Sequence, residues 1–126
     1  MPVLFEKLDV YQKAVDLAES ISKLTDAFPK GNYYLIDQLN RAALSISANL
    51  AEGNGRWHEN DRKQCFYIAR GSAQECVPLI EFCKRKSLIH PKQHEDLKNA
   101  IDAVIKMIYG LVKGLDKRKS ELENKD

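Results

Sequence analysis

Residues 9–28 read Asp9-Val10-Tyr11-Gln12-Lys13-Ala14-Val15-Asp16-Leu17-Ala18-Glu19-Ser20-Ile21-Ser22-Lys23-Leu24-Thr25-Asp26-Ala27-Phe28, and the spacing of their apolar side chains decides the fold. Val10, Ala14, Leu17, Ile21, Leu24 and Phe28 follow one another in steps of four, three, four, three and four. Such steps lay one apolar stripe down a helix, whereas a half-buried strand would alternate at every second residue. Asp9 and Gln12 stand in the relation of a capping box at its start, and Pro29 with Gly31 ends it.

The same ladder recurs three times outward from this segment. Leu35, Leu39, Ala42, Ile46 and Leu50 form the second, which stops at Gly53 and Gly55. Cys65, Ala69, Ser72, Cys76, Leu79 and Cys83 form the third, and Leu97, Ile101, Val104, Ile108, Leu111 and Leu115 the fourth. Helices are therefore predicted at about 10–28, 34–53, 60–86 and 91–119, with a charged, fraying tail over 120–126. Pro91 falls where a first-turn proline is tolerated, because its missing N–H would have been unpaired in any case. Pro78 lies inside the third helix and predicts a kink near residues 74–78. Short links between long amphipathic helices make neighbours antiparallel, so residues 1–119 are expected to form an all-α, up-down-up-down four-helix bundle.

Length and composition agree with one such domain. A chain of 126 residues with 44% hydrophobic side chains is too apolar for disorder and long enough to fold without disulfide or metal staples. The opening Met1–Lys7 lacks the features of a secretory signal, and no run approaches the ~20 apolar residues of a membrane span. Cys65, Cys76 and Cys83 share one helix; the last two would lie about 10 Å apart along it, too far for a disulfide. An odd set of core thiols suits a reducing cytoplasm.

The apolar content exceeds one stripe per helix. Tyr11, Val15 and Ala18 form a second ladder on the first helix, and Ile105, Tyr109 and Val112 flank the stripe on the fourth. Contiguous apolar surface of this kind predicts a subunit interface, although part of it can face a neighbouring helix of the same bundle.

Three stretches carry a family resemblance: the opening Phe5-Glu6-Lys7-Leu8-Asp9-Val10-Tyr11-Gln12-Lys13-Ala14, the run Ser45-Ile46-Ser47-Ala48-Asn49-Leu50-Ala51-Glu52-Gly53, and Ala69-Arg70-Gly71-Ser72. Together, and with Phe28-Pro29, they resemble the bacterial four-helix-bundle family encoded in 23S rRNA intervening sequences, over nearly the whole chain to about residue 115. Trp57-His58 and Pro78 do not belong to the resemblance. The resemblance implies a ring-like homo-oligomer, commonly a pentamer. A related branch, the accessory variability protein of diversity-generating retroelements, implies nucleic acid or a reverse transcriptase as partner. Arg41, Asn49, Glu52, Gly53, Arg56, Arg70 and Gly71 carry the motif. Glu52 and Arg70 are expected to pair across the second hairpin, Gly53 and Gly55 to let the chain turn, and Gly71 to admit a neighbouring helix. Arg41, Arg56 and Arg70 either lock that hairpin or contact RNA, and Asn49 either packs or binds a ligand.

Charge is unevenly spread. The net charge of +2 excludes a uniformly basic protein, yet residues 64–126 carry twelve basic against nine acidic side chains. Lys106, Lys113 and Lys117 form a solvent-facing row on the fourth helix, extended by Arg118 and Lys119. Arg56, Arg62 and Lys63 gather near the second connection, with Trp57 available to stack on a base. These cations are the candidate nucleic-acid contacts; the plainer reading is solvation and favourable helix dipoles. No glutamate precedes a histidine by three, as a di-iron bundle requires, and no phosphate loop or nucleophilic triad is present. Cys83, His90 and His94 have a spacing that could take an adventitious metal, or are merely core and loop residues. The expectation is a non-enzymatic protein without cofactor or resident metal. It either binds RNA or a ribonucleoprotein through basic rows, or serves as a protein–protein adaptor without touching nucleic acid.

Overall fold

The computed structural model describes residues 8–123. The first seven residues, the last three of the tail and the side chain of Lys119 lie outside the described residues, and with them the reading of the N-terminus and of Phe5-Glu6-Lys7. Four helices follow in order: α1 (Asp9–Asp26), α2 (Tyr33–Gly55), α3 (Glu59–Arg85) and α4 (Pro91–Glu123). Each packs on its chain neighbours and α1 closes on α4, while the diagonal pairs α1–α3 and α2–α4 do not meet. That square is the expected four-helix bundle.

The apolar ladders fill the centre, with one systematic difference. Val10, Ala14, Leu17 and Ile21 are buried, but toward the end of α1 burial passes to Thr25 while Leu24 and Phe28 are only partly covered. On α4 it passes from Leu111 to Val112, and on α3 Phe66, Ala73 and Ile80 are buried where Ser72 and Leu79 are half-exposed. A helix of 3.6 residues per turn drifts about 20° per heptad, so a stripe of period 3.5 rotates away from a fixed core. For the same reason two predicted interface residues are corrected: Ala18 and Val112 are buried inside this chain and offer nothing to a partner.

Helix ends also differ in detail. Leu8, not Asp9, occupies the N-cap of α1, no side chain caps it, and Asp9 is a first-turn acid facing the helix dipole. At α4 half a capping box does form: the His90 backbone N–H donates to Gln93 Oε1 at 2.8 Å, and Pro91 begins the helix. Between α3 and α4 the chain reverses through a Schellman motif, with Leu88 N–H donating to the Cys83 carbonyl and Ser87 N–H to that of Lys84. Ser87 takes the left-handed conformation this requires, at φ 60°. α3 continues as one helix through Pro78, which is exposed, so the bond it removes lies on the surface side of the bundle. α4 continues four residues beyond its predicted end, so Ser120–Glu123 are helical.

Gly53 does not serve as a turn. It is buried within α2, and a Cβ there would lie 2.8 Å from Cys65 Cβ and from Phe66 Cε1. Its role is the close approach of α2 to α3. Gly71, by contrast, faces open space, and no helix of this chain uses it. The α2–α3 seam is polar at its middle: Ser72 Oγ donates to Ser45 Oγ at 2.9 Å, and Asn49 Nδ2 donates to the Ser45 carbonyl and hydroxyl. Both Asn49 hydrogen bonds stay within α2. On the other side, Asn40 Nδ2 donates to Thr25 Oγ1 at 3.0 Å and ties α2 to α1.

Candidate nucleic-acid interface

Whether a surface cation can serve a ligand depends first on whether a carboxylate already holds it. The structure sorts the candidate cations on that basis. Arg41 pairs with Asp37 at 3.6 Å, one turn away on α2. Arg56 pairs with Glu52, again four residues apart, so Glu52 does not meet Arg70 across the hairpin as the sequence suggested. Local i, i+4 geometry wins here, because both groups sit on one helix face and need no register between helices. The Glu52 hydrogen bond and charge hold the Arg56 guanidinium more firmly protonated than usual. Trp57 beside it is 92% exposed but has no free cation next to it on α2.

Arg62 and Lys63 both have partners within the fold. Arg62 Nη2 donates to the Asn54 carbonyl at 3.1 Å, satisfying the end of α2. The Lys63 ammonium pairs with Asp116 of α4, which raises its pKa chiefly through that hydrogen bond. Arg118 lies on the opposite flank of α4, beside a groove it shares with Arg62, Asn54 and Leu115.

Arg118 forms no ion pair there among the described residues, and the other unpaired candidate cations lie together on the α3–α4 face. Lys63, Tyr67 and Arg70 follow at steps of four and three along α3, and Lys106, Tyr109, Lys113 and Asp116 at three, four and three along antiparallel α4. Each set therefore lines one side of its helix. Three rungs set the register: Lys63 to Asp116, Arg70 to Tyr109, and His94 Nε2 to Glu81 Oε2 at 3.1 Å. The Arg70 guanidinium carbon lies 5.2 Å from the Tyr67 ring centroid and 5.1 Å from that of Tyr109, within reach of cation–π attraction to both. Arg70 forms no ion pair among the described residues, and neither do Lys106, Lys113 and Lys117. The strip from residue 102 to 116 of α4, with the facing residues of α3, thus carries Arg70, Lys106 and Lys113 against Asp102, since Lys63 and Asp116 cancel.

Tyr67 belongs to this cluster and was absent from the sequence-derived candidates, while Tyr109 was placed at the subunit interface. The signal was present as matched sevens, 63 to 70 and 109 to 116, but legible only once the antiparallel register was known. Of the other interface candidates, Val15 is 37% exposed, and Tyr11 and Ile105 are half-buried. Cys83, His90 and His94 do not gather: Cys83 is buried, His94 bonds Glu81 and His90 is exposed, and no group of three metal-ligating side chains forms among the described residues. No helix among those residues is long and apolar enough to cross a membrane.

Fold and face define an all-α four-helix bundle bearing a basic, aromatic strip on one pair of helices. The chain belongs to the family of 23S rRNA-intervening sequence proteins, whose family model matches residues 6–110. A solved structure of the same fold is a protein of unknown function from the S23 ribosomal protein family of Bacteroides thetaiotaomicron VPI-5482. It is 23% identical, covers 82% of this chain and 98% of its own, and superposes with a TM-score of 0.76. No curated protein matches the chain.

Proposed function

We propose that this protein is a non-enzymatic, cytoplasmic RNA-binding bundle that uses the α3–α4 face, alone or within a ribonucleoprotein. The observation carrying the reading is the unpaired set Arg70, Lys106, Lys113 and Lys117. Elsewhere on the surface Arg41, Arg56, Arg85 and Lys92 are each answered by a carboxylate within four residues, while Lys13, Lys30, Lys98 and Arg118 are without an ion pair among the described residues but have no aromatic–guanidinium cluster beside them. A strip whose cations lack carboxylates keeps its field for phosphate. A gel shift with a structured RNA at low salt tests it; no retardation by micromolar protein would refute it.

Self-association is the second part of the proposal. Leu44 on α2 and Ile68 and Phe82 on α3 are 60%, 45% and 53% exposed. Across the bundle, a groove of about 480 Å³ runs between α1 and α4, lined by Leu17, Leu24, Leu97, Ala100 and Ala103. Apolar projections on one side and an apolar groove on the other suit a head-to-tail contact between copies, which closes into a ring when the rotation permits. This places the interface on the α2–α3 and α1–α4 seams and leaves the α3–α4 strip open on every subunit. Light scattering showing a monomer across micromolar concentrations would refute it. The adaptor reading rests on the same exposed residues; a protein partner recovered by pull-down after nuclease treatment would favour it.

A further inference from the structure

Resting on the RNA-binding reading of this face, we infer that Tyr67, Arg70 and Tyr109 form a stacking platform for unpaired nucleotides, so that the ligand is single-stranded RNA and not duplex. Two aromatic rings flank one guanidinium, and the two residues remain 41% (Tyr67) and 51% (Tyr109) exposed, which leaves room for a base beside Arg70. Cation–π contact with both rings restrains Arg70, so its orientation is set before a ligand arrives. Its charge is unanswered by any carboxylate among the described residues and is available to a phosphate.

Lys106 and Lys113 stand three residues before and four after Tyr109, about 10 Å apart along the helix axis. They bracket the ring, so a base stacked on Tyr109 would have backbone phosphate toward an ammonium on either side. A duplex cannot use this arrangement, because its bases are already stacked on one another and it presents only phosphates and grooves. A surface evolved for phosphate alone has no need of two half-exposed tyrosines beside its cations. An acidic protein segment would use the cations and leave the ring faces idle.

The experiment measures fluorescence anisotropy of the full chain with a labelled 20-nucleotide single-stranded RNA and with the same strand annealed to its complement, both at 50 mM salt. The single strand is expected to bind at least tenfold tighter. Tyr109→Ala should weaken single-strand binding about tenfold or more, from lost stacking, and change duplex binding less than twofold. Tyr109→Phe, which keeps the ring, should retain single-strand affinity within twofold. Tyr67→Ala provides a second truncation on the other helix, and circular dichroism confirms that each variant is folded. Equal affinity for both RNAs, or equal weakening of both by Tyr109→Ala, would overturn the platform while leaving RNA binding intact. Competition by polyglutamate that is as effective as competition by unlabelled single strand would overturn it in favour of an acidic protein partner. Binding to neither RNA would overturn this inference together with the reading beneath it.

Discussion

Replacing Gly53 by alanine tests the packing of the bundle at its tightest point. The added Cβ would lie 2.8 Å from Cys65 Cβ, 2.8 Å from Phe66 Cε1 and 3.0 Å from Phe66 Cδ1. Carbon atoms in contact prefer about 3.5–4.0 Å, so α2 and α3 must separate by several tenths of an ångström or more. The Phe66 ring has some freedom to swing, but Cys65 Cβ is fixed to the backbone of α3 and can retreat only with the helix. Overpacking of this kind costs about 1–3 kcal/mol. Against it stands the helix propensity of alanine over glycine, at most about 1 kcal/mol and less here in the last turn of α2. The expected net loss is about 1–2 kcal/mol. Gly71→Ala is the matched control: it gains the same propensity in mid-helix and meets nothing within 4 Å, so it should stabilise by up to about 1 kcal/mol. Urea denaturation followed by helical circular dichroism at one protein concentration reads both. A Gly53→Ala variant as stable as the parent, or more so, would refute the close-approach account.

Three other expectations follow from the same geometry. Ser87 is a non-glycine residue at φ 60° in the Schellman turn, so Ser87→Gly should stabilise by about 0.5–1 kcal/mol, read as a raised urea midpoint. Cys65, Cys76 and Cys83 are free and buried, and burial pushes the Cys76 thiol up to about 12; a chromogenic disulfide reagent at pH 8 should label no more than a trace until urea unfolds the chain. Arg85, with Lys84 and His94, holds the Glu81 carboxyl below its ordinary range. That contribution is complete above the ordinary carboxylate pKa and is lost as pH falls through the lowered one. Glu81→Gln should therefore flatten the acid limb of stability against pH, and a parallel loss at every pH would contradict the assignment.

The bundle was legible because each helix repeats its apolar residues at steps of three and four, a pattern that depends on the helix alone. Helix starts and stops were readable to within a few residues for similar reasons, Pro91 being the clearest. The errors share a different origin. Thr25, Val112 and Phe66 entered the core because a straight helix drifts against a seven-residue repeat, and where along each helix the shift falls depends on its neighbours. Glu52 was assigned to Arg70 across the hairpin, when Arg56 lay one turn away on the same face. Gly53 was read as a turn because its environment is a contact between helices, which no local pattern records. Lysines 106, 113 and 117 were visible as a row, and the carboxylates that answer Arg41 and Arg56 lie one turn away in the sequence, whereas the pairing of Lys63 with Asp116 and the seating of Arg70 on two tyrosines required the register of α3 against α4.

The central claim, that the unpaired cations of the α3–α4 face meet RNA phosphates, is tested most directly by salt dependence. Binding of a single-stranded RNA should weaken with log[salt] at a slope of about −0.7 for each phosphate neutralised, hence about −3 for Arg70, Lys106, Lys113 and Lys117 acting together on one subunit. Replacing the three lysines by glutamine should bring the slope to about −1, while Arg41→Gln, whose charge Asp37 already answers, should leave it unchanged. An unaltered slope in the triple variant, or a slope that Arg41→Gln changes instead, would contradict the account.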